Sequence, residues 1–467
     1  MSDFQLLIDG MLVAGAGTLD VINPATGRIL TAAPRADRAQ LERAVAAAKT
    51  AFPRWSATPI RERGSLLAKL AEALEAEQRD FARLLTEEQG KPLPQALDEI
   101  IFSVATIRYF ATCDLPPEVL KEDATKKVVR QHRPLGVVAA ITPWNLPVLI
   151  LMIEIAPALL AGNTVVIKPA PTTPLTTLKF GELCARLLPA GVVNIIVDQN
   201  DLGGVLTSHP DVAKVAFTGS TSTGKKVMES AAGTLKRLTL ELGGNDAAIV
   251  LEDIEPKEVA PKIYASAMFN AGQACVAIKR LYVHDSIYDA VCDELGKLAR
   301  RTVVGNGLEQ GTEMGPLQNK AQFERVKGFL EDARQNGKIV AGGEALKREG
   351  YLIQPTIVRD ISDSAKLVRE EQFGPLLPVL RYSDIDDVIA RANDTDFGLG
   401  GSVWSSDRDR AFEVAVRINS GTVWVNKHQD LTPDTPYGGA KQSGIGVEFG
   451  QEGLEEFTQA TIINVAK

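Results

Sequence analysis

Residues 269–275 (FNAGQAC) end in a cysteine that follows a Gly-Gln pair, and a cysteine in such a setting can do covalent chemistry. Cys275 lies between a helix-like run at 259–268 and a strand-like run at 279–284. The reactive form is the thiolate, and a free thiol with a pKa of about 8.5 is mostly protonated at neutral pH. A nucleophilic Cys275 therefore needs a base or an electropositive setting, whereas a buried packing role needs neither.

The carboxylate that could act as this base is Glu241, at the end of an apolar strand pattern. Gly243 and Gly244 follow it, and two glycines let the backbone turn sharply beside the carboxylate. The alternative is a solvated glutamate at a strand end with no part in chemistry. The other motifs of the chain favour the catalytic interpretation.

Three further segments place polar groups at strand ends. Asn145 lies between prolines in the segment 142–147 (TPWNLP), which holds its side-chain amide rigidly as a hydrogen-bond donor. Lys168 ends another apolar strand. The segment 219–225 fits the phosphate-loop pattern G-x-x-x-x-G-K, but Lys226 stands where Ser or Thr would bind magnesium. A nucleoside triphosphatase is therefore disfavoured.

The elements around these groups alternate between strand and helix. Continuously apolar strands alternate with helices from 136 to 233, which predicts a parallel sheet that helices cover on both faces. Ligands bind such sheets at the carboxyl ends of the strands. A second α/β series runs from 247 to 426. Other predicted elements are short strands over 5–33, helices over 38–52, 60–88, 94–113 and 224–233, and an exposed two-stranded ribbon over 118–133.

Composition limits the classes of function. The 467 residues are 45% hydrophobic and 24% charged, which is typical of a globular protein with more than one domain. With 51 basic and 59 acidic residues the net charge is −8, which disfavours a nucleic-acid or anionic-membrane partner. The four cysteines form no C-x-x-C pair and the four histidines have no metal-ligand spacing. A reducing, cytoplasmic setting and no bound metal are predicted.

The motifs resemble those of the aldehyde dehydrogenase superfamily, from NPATG at 23–27 to Gly444. The resemblance rests on the segments TPWNLP, VVIKPAP, FTGS, ELGG, FNAGQAC, EEQFGP and PYGG, which follow the order of the family. It implies an α/β fold with a Rossmann-like cofactor domain, an α/β catalytic domain and a small β oligomerisation element. The implied boundaries are 1–115 and 135–243 for the NAD(P)-binding domain, 244–450 for the catalytic domain, and 116–134 with 451–467 for the oligomerisation element.

The resemblance also implies roles for single residues. Cys275 would attack an aldehyde, and Asn145 with the Cys275 N–H would hold the oxyanion. After hydride transfer to NAD(P)+, a water activated by Glu241 would hydrolyse the thioester to a carboxylic acid. The implied cofactor-binding residues are Thr142, Pro143, Trp144, Lys168, Ala170, Pro171, Gly219, Ser220, Leu242, Gly243, Glu371 and Phe373. The implied substrate-pocket residues are Leu146, Ile150, Ile153, Val276, Leu431 and Tyr437, with His428 nearby.

These six pocket positions are largely aliphatic and include no arginine, which favours an aromatic or medium-chain aliphatic aldehyde. A semialdehyde dehydrogenase of the same family is the alternative. A cysteine-dependent thiol hydrolase or esterase is the alternative from another class, but such enzymes usually pair the thiol with a histidine, and no histidine lies in these motifs. The two exposed edges at 116–134 and 461–465 predict a homodimer or homotetramer.

Cofactor choice depends on Pro171. Many NAD-preferring members of the resembled family carry a glutamate at this position, which binds the ribose hydroxyls and repels a 2′-phosphate. The family's lysine, Lys168 here, reaches the adenosine ribose. Because Pro171 can neither bind nor repel in this way, we expect both NAD+ and NADP+ to work. We expect NAD+ to be modestly favoured, since no arginine cluster stands ready for a 2′-phosphate.

Overall fold

Two large sheets with helices packed around them make up most of the structure, a computed structural model that describes residues 4–467. The helices in chain order are α1 (Arg38–Ala57), α2 (Ile60–Ala76), α3 (Gln78–Gln89), α4 (Leu93–Thr112), α5 (Pro147–Leu160), α6 (Leu175–Leu187), α7 (Gly203–Ser208), α8 (Thr221–Ala231), α9 (Pro256–Met268), α10 (Tyr288–Arg301), α11 (Lys320–Asn336), α12 (Lys366–Arg369), α13 (Ile385–Asn393), α14 (Arg408–Ala415) and α15 (Gly450–Glu455).

The strands are shorter and more numerous. In chain order they are β1 (Leu6–Ile8), β2 (Met11–Val13), β3 (Gly17–Asn23), β4 (Arg28–Arg35), β5 (Glu118–Glu122), β6 (Lys126–Pro134), β7 (Val137–Ile141), β8 (Thr164–Lys168), β9 (Val193–Ile195), β10 (Val212–Thr218), β11 (Arg237–Glu241), β12 (Asp246–Val250), β13 (Ile278–His284), β14 (Lys338–Ala341), β15 (Thr356–Arg359), β16 (Leu376–Tyr382), β17 (Phe397–Gly398), β18 (Gly400–Trp404), β19 (Thr422–Val425), β20 (Ala440–Lys441), β21 (Gly444–Ile445) and β22 (Thr458–Ala466).

The first sheet has the strand order β2-β1-β9-β8-β7-β10-β11-β21. Its five central strands, β9 to β11, are parallel, and the outer strands β1, β2 and β21 pair antiparallel at the edges. Strands β7 and β8 are buried along their whole length, as is every residue of α5. Parallel strands that read as unbroken apolar runs have cover on both faces, so the predicted α/β sheet is present.

The second sheet has the order β14-β15-β16-β13-β12-β18-β19, and only β14 is antiparallel to its neighbour. Its strand β12 shows why both faces are covered. Ala247 and Ile249 belong to one buried apolar cluster, and Ala248 and Val250 belong to another. Because successive side chains of a strand point to opposite faces, the sheet has a separate core on each side.

A third sheet, β22-β6-β5, contains the ribbon predicted over 118–133. All nine residues of β22 pair antiparallel with β6, so the observed C-terminal strand is longer than the predicted 461–465. The boundary predicted at 243/244 does not separate the two large sheets cleanly, since β21 pairs with β11 in the first sheet. Within residues 4–467, the helices include none that is both long enough and apolar enough to cross a membrane.

Three helix predictions differ from the structure. The helix predicted over 38–52 continues to Ala57, with Pro53 inside it. The helix predicted over 60–88 is two helices, because Glu77 leaves the helical path at φ −101° and ψ 11° and forms ion pairs with Lys179 and Arg186. The helix predicted from 224 begins at Thr221 instead. Ser220 supplies the reason, since its hydroxyl accepts the N–H of Thr223 and caps the helix.

Candidate active site

The segment before Cys275 is a tight turn between α9 and β13. Residues Phe269–Gly272 form a 3-10 turn in which Asn270 and Ala271 have φ values of 51° and 57°. Gly272 continues this left-handed path with φ +70°, and a Cβ there would lie 2.2 Å from the carbonyl oxygen of Gly374. A side chain is therefore excluded at Gly272. The turn fixes the direction in which the chain enters Cys275.

Asn145 is tied to this turn by hydrogen bonds in both directions. Its Nδ2 donates to the Gln273 carbonyl at 3.0 Å, and Asn270 Nδ2 donates to the Asn145 carbonyl at 2.9 Å. The Asn145 side chain is almost fully buried. One of the two hydrogens on Nδ2 remains available, since an amide nitrogen donates twice. Asn145 and Cys275 line the same cavity, and these bonds hold Asn145 against the turn that leads to Cys275.

A buried ion pair between Lys91 and Glu99 helps to hold the backbone of Asn145. Lys91 Nζ contacts the carboxylate of Glu99 and also donates to the Asn145 carbonyl at 2.9 Å. Glu99 in turn accepts the N–H groups of Val148 and Leu149, at the start of α5, at 2.9 and 3.2 Å. Sequence reasoning missed both residues. Their contacts with Asn145 and α5 span some 50 positions of the chain, and no local pattern signals contacts of that range.

The Cys275 thiol is protonated in its present surroundings. Burial raises its pKa to about 12, and the carboxylates of Glu241 and Glu371 add to this, whereas the ammonium of Lys279 lowers it. Lys279 Nζ donates to the Cys275 carbonyl at 2.5 Å. The electropositive setting expected for a nucleophile is therefore only partly supplied by the protein, and a further positive charge or a base is needed to form the thiolate.

Glu241 lies in a group of buried carboxyls. Burial raises its pKa well above the usual range, and the negative charges of Glu448 and Glu154 raise it further, against a lowering by the Gly439 N–H. Burial also raises the pKa of Glu448 to about 8. The pKa of Glu154 is raised by the same cause, although its carboxylate accepts the Thr218 hydroxyl at 2.9 Å. Among residues 4–467 no hydrogen-bond partner is found for Glu241 Oε1.

A cavity of about 190 Å³ opens beside Cys275 at the carboxyl edge of the first sheet. It is lined by Pro143, Trp144, Asn145, Thr218, Gly219, Ser220, Leu242, Gly243, Cys275, Gln322, Arg325, Glu371 and Phe373. Eight of the predicted cofactor residues, including Glu371, thus line this cavity. Thr218, Gln322 and Arg325 also line it and were not predicted. The Trp144 and Phe373 rings stand edge to face, 5.4 Å apart. Glu371 accepts the Gly244 N–H at 3.1 Å.

The other predicted cofactor residues lie away from this cavity. The Thr142 N–H donates to the Lys168 carbonyl at 3.2 Å, so the two residues are neighbours at the strand ends. Ala170 and Pro171 follow on the partly exposed surface. Lys168 Nζ lies 2.7 Å from Asp198 Oδ1, a partner that the sequence analysis did not identify. The predicted residues therefore divide into a group beside Cys275 and a group around Lys168.

Five of the six predicted substrate-pocket residues share an apolar cluster with Cys275, namely Leu146, Ile153, Val276, Leu431 and Tyr437. Ile150 does not belong to it, and Leu149 takes that place on α5. The cluster also contains residues that were not predicted: Phe102, Leu399, Trp424 and Phe449. The Tyr437 hydroxyl is buried, and the described residues offer it no hydrogen-bond partner. His428 is close, with Nε2 2.8 Å from the Val276 carbonyl oxygen.

These features fit a dinucleotide. The cavity lies where doubly wound sheets bind nucleotides, and Ser220 begins a helix whose first N–H groups favour an anion. Two aromatic rings and a buried carboxylate, Glu371, stand beside the thiol. Lys168 supplies a cation in the second group of predicted cofactor residues, away from the cavity. Among residues 4–467 no group of three or more His, Cys, Asp or Glu could hold a metal ion.

Comparisons with known proteins agree with this geometry. A family model described as "Aldehyde dehydrogenase family" matches residues 12–463. The chain is 41% identical to a phenylacetaldehyde dehydrogenase of Pseudomonas fluorescens, over 99% of this chain and 96% of the relative. It is 39% identical to an NADP+-dependent succinate-semialdehyde dehydrogenase of Escherichia coli, over 97% and 96%. An NAD+ complex of a Bacillus cereus aldehyde dehydrogenase matches with TM-score 0.97 and 36% identity, over 100% and 97% of the two chains.

Proposed function

Because this chain belongs to the aldehyde dehydrogenase family and is an NAD(P)-dependent oxidoreductase, we propose that it oxidises an aromatic or medium-chain aliphatic aldehyde to the carboxylic acid through a covalent intermediate on Cys275. The observation that carries the proposal is the placement of Cys275 between the donor amide of Asn145 and an apolar cluster.

Cys275 is the nucleophile of this proposal. Its Sγ forms a bond to the aldehyde carbon once the thiol has lost its proton to a base. When bound, NAD(P)+ would supply the hydride acceptor and a positive charge. The raised pKa of the thiol supports an ordered scheme in which the cofactor binds before Cys275 becomes reactive, because the ammonium of Lys279 does not offset the effect of burial and a further positive charge is needed.

Asn145 and the backbone N–H of Cys275 hold the oxyanion that forms when Cys275 adds to the carbonyl. The free hydrogen of Asn145 Nδ2 and the rigid support from Gln273 and Asn270 favour this role. Donors of this kind, fixed before the reaction, are typically worth about 3 kcal/mol each. The Lys91 and Glu99 pair positions Asn145 but makes no contact with the reacting atoms in this scheme.

Glu241 activates the water that hydrolyses the thioester. Its carboxyl is buried and has an oxygen without a partner among residues 4–467, which leaves an acceptor free for a water. Because its pKa is raised, Glu241 holds a proton until the pH or the surrounding charge favours release. A base with a raised pKa binds a proton more strongly, which suits a general base at neutral pH.

The apolar cluster supports the class of substrate. Five of the six predicted pocket residues belong to it, and none of the six is an arginine or a lysine. The carboxylate of a semialdehyde would lose its hydration there without gaining a cation, and an unpaired buried charge is costly. The semialdehyde alternative is retained because the chain is also similar to succinate- and glutarate-semialdehyde dehydrogenases, at 39% and 38% identity.

The experiment is a substrate panel read by NAD(P)H absorbance at about 340 nm. The panel compares phenylacetaldehyde, hexanal, succinate semialdehyde and glutarate semialdehyde, each with NAD+ and with NADP+. We expect kcat/KM for the first two to exceed that for the semialdehydes by about tenfold or more, which is about 1.4 kcal/mol of transition-state binding. A panel led by a semialdehyde would overturn the substrate assignment and leave the reaction class intact.

We also propose that the protein is a homodimer or homotetramer assembled through the sheet of β22, β6 and β5. In support, β22 pairs on one side only, and its Ile462 and Val465 are about half exposed. Removing residues 460–467 should give monomers or aggregates in light scattering, and Ile462→Asp should weaken association without removing the strand. Asn464→Asp is the matched control on the same strand. A monomeric wild type would contradict the proposal.

The cytoplasmic location stays a prediction.

A further inference from the structure

Asp198 is a buried carboxylate at the cofactor edge of the first sheet with no role assigned so far. It follows β9, the strand next to β8, which ends at Lys168. Both residues therefore stand at the carboxyl ends of neighbouring parallel strands, where nucleotides bind. The Asp198 side chain is fully buried and that of Lys168 is 5% exposed. A buried aspartate at such a position needs a reason, since burial of a charge is costly.

The contacts of Asp198 fix it beside Lys168. Its Oδ2 accepts the Leu202 N–H at 2.8 Å, and its Oδ1 lies 2.7 Å from Lys168 Nζ. An ammonium has three hydrogens, so its contact with Asp198 leaves hydrogens available for another acceptor. Lys168 is thus neutralised in charge but still able to donate.

The stem of Lys168 is confined as well. A Cβ on Gly203, the first residue of α7, would lie 3.5 Å from Lys168 Cε, so the lysine stem passes close to that backbone. Asp198 limits where the ammonium can donate on one side, and the Gly203 backbone limits where the stem can move. Neutral hydroxyl groups are suitable acceptors for such a donor, and they need no surplus positive charge.

We propose that Asp198 makes the enzyme prefer NAD+ over NADP+, by cancelling the charge of Lys168 and repelling a 2′-phosphate. The inference rests on the proposed function and on the contact of Lys168 with the adenosine ribose that the family resemblance implies. A phosphate oxygen bonded to Lys168 Nζ would lie within about 6 Å of Asp198 Oδ1, since each contact to the nitrogen spans about 3 Å. At that distance two like charges repel each other strongly in a buried site. Asp198 therefore supplies the negative charge that Pro171 lacks.

Binding measurements without aldehyde test this proposal. Isothermal titration calorimetry gives the Kd values of NAD+, NADP+, adenosine 5′-monophosphate and adenosine 2′,5′-bisphosphate, the last two differing only in the 2′-phosphate. The wild type should bind NAD+ about tenfold or more tighter than NADP+. In Asp198→Asn the ratio of the NADP+ Kd to the NAD+ Kd should fall by about tenfold or more. The isosteric amide still accepts the Leu202 N–H but no longer cancels the charge of Lys168. High salt should reduce the gain in affinity for NADP+.

Two further variants separate charge from structure. Asp201→Asn changes an aspartate of the same loop that is 47% exposed and pairs with Arg35, and it should leave the ratio unchanged. In Asp198→Asn combined with Lys168→Gln, the gain in NADP+ binding should disappear, because the freed lysine is its source. A purely structural effect of Asp198 would weaken both dinucleotides alike and would not depend on Lys168.

The outcomes distinguish this inference from the proposed function. An Asp198→Asn enzyme that binds NAD+ but keeps the wild-type ratio within about twofold overturns the role of Asp198 and leaves the dehydrogenase intact. Failure of the wild type to bind either dinucleotide overturns both. If Asp198→Asn does not fold, the wild type decides alone. Tighter binding of the 2′,5′-bisphosphate than of the 5′-monophosphate at low salt would then refute the proposal.

Discussion

The turn that carries Cys275 and the strand end that carries Glu241 are built in opposite ways. The turn has three successive left-handed residues, 270–272, and hydrogen bonds from Asn145 and Lys279 hold the backbone on both sides of the thiol. Glu241 has a buried carboxyl with an unpartnered oxygen and other carboxyls around it. The backbone at Cys275 is held rigidly by hydrogen bonds. The carboxyl of Glu241 has an oxygen without a partner and lies near other carboxyls.

This difference fits the chemistry proposed for each residue. A nucleophile must meet the carbonyl at a fixed distance and angle, so rigidity favours it. A general base must change its protonation state during the cycle, and a carboxyl that is locked into hydrogen bonds as an anion would have a lowered pKa. We therefore expect substitutions at the turn to act through structure and substitutions near Glu241 to act through pH.

Removal of the thiol gives the largest expected effect. Cys275→Ala should reduce NAD(P)H production to less than about a hundredth of the wild-type rate, because the covalent step has no substitute. Binding of the cofactor and the melting temperature should change little. Cys113→Ala, at a half-buried thiol at the end of α4, is the control and should stay active. Retention of a substantial rate by Cys275→Ala would remove this residue from the mechanism.

Glu241→Gln should slow a different step. The first turnover should still release NAD(P)H, and the following turnovers should be slower by about a hundredfold or more, since general-base catalysis contributes about that much. Rapid-mixing absorbance would show a burst equal to the enzyme concentration, followed by near-arrest. Glu229→Gln, an exposed glutamate of α8, serves as the control. Absence of the burst would mean that Glu241 acts before hydride transfer or is not the base.

Gly272→Ala tests the rigid half of the comparison. The added Cβ would lie 2.2 Å from the Gly374 carbonyl oxygen at a φ of +70°, so the turn must shift. We expect a loss of about 2–4 kcal/mol in the free energy of unfolding, from backbone strain and overpacking together. Gly233→Ala is matched, with no atom within 4 Å of its Cβ, and should stay within about 0.5 kcal/mol. Urea denaturation measures both, and equal losses would contradict the argument.

Glu448→Gln tests the electrostatic half. Burial raises the pKa of Glu448 from 4.5 to about 8, so the folded state holds a proton that the unfolded state has lost. The resulting stability is complete below pH 4.5 and is lost as the pH rises toward about 8. The unfolding free energy of Glu448→Gln should therefore fall less steeply over this window than that of the wild type. Deacylation should also reach its plateau at lower pH, because Glu241 loses a negative neighbour.

The exposed Glu452 provides the control for that experiment, since Glu452→Gln lies on the same segment without being buried. Its unfolding free energy should follow the wild-type pH dependence. If Glu448→Gln and Glu452→Gln behave alike, the carboxyls around Glu241 do not govern the pH response.

The smallest effect concerns Tyr437, whose buried hydroxyl has no partner among residues 4–467. Tyr437→Phe should raise the free energy of unfolding by about 1 kcal/mol, because it removes an unsatisfied polar group. Tyr382→Phe is the opposite case, since its hydroxyl donates to the Val250 carbonyl at 3.0 Å, and it should lose about 1 kcal/mol. Thermal denaturation of both variants measures the difference. Destabilisation by Tyr437→Phe would show that its hydroxyl has a partner in solution.

The sequence predicted what local patterns encode. The alternation of apolar strands and helices predicted the α/β class. The short segments around Asn145, Glu241 and Cys275 pointed to residues that lie near one another in the structure. Long-range partners such as Lys91, Glu99 and Asp198 had no such signal, because each lies far along the chain from the group that it supports or faces.

The absence of Ile150 from the apolar cluster around Cys275 has a physical cause as well. Helix α5 is apolar except for Glu154, and all of its residues are buried. An amphipathic helix shows its rotation by the stripe of apolar residues, but a helix that is apolar all round gives no such stripe. The sequence therefore predicted the helix and could not decide whether Leu149 or Ile150 joins the apolar cluster around Cys275.

The pairing of β22 with β6 has a consequence for synthesis of the protein. Thr458 pairs with Pro134, so 324 residues (458 − 134) must be translated before this pair can form. At about 5–20 residues per second, β6 leaves the ribosome roughly 15 to 65 s before its partner exists. During that interval its backbone groups are open on one side. Nascent chains on one polysome are therefore most prone to pair with each other, or to need a chaperone, before the last strand has been made.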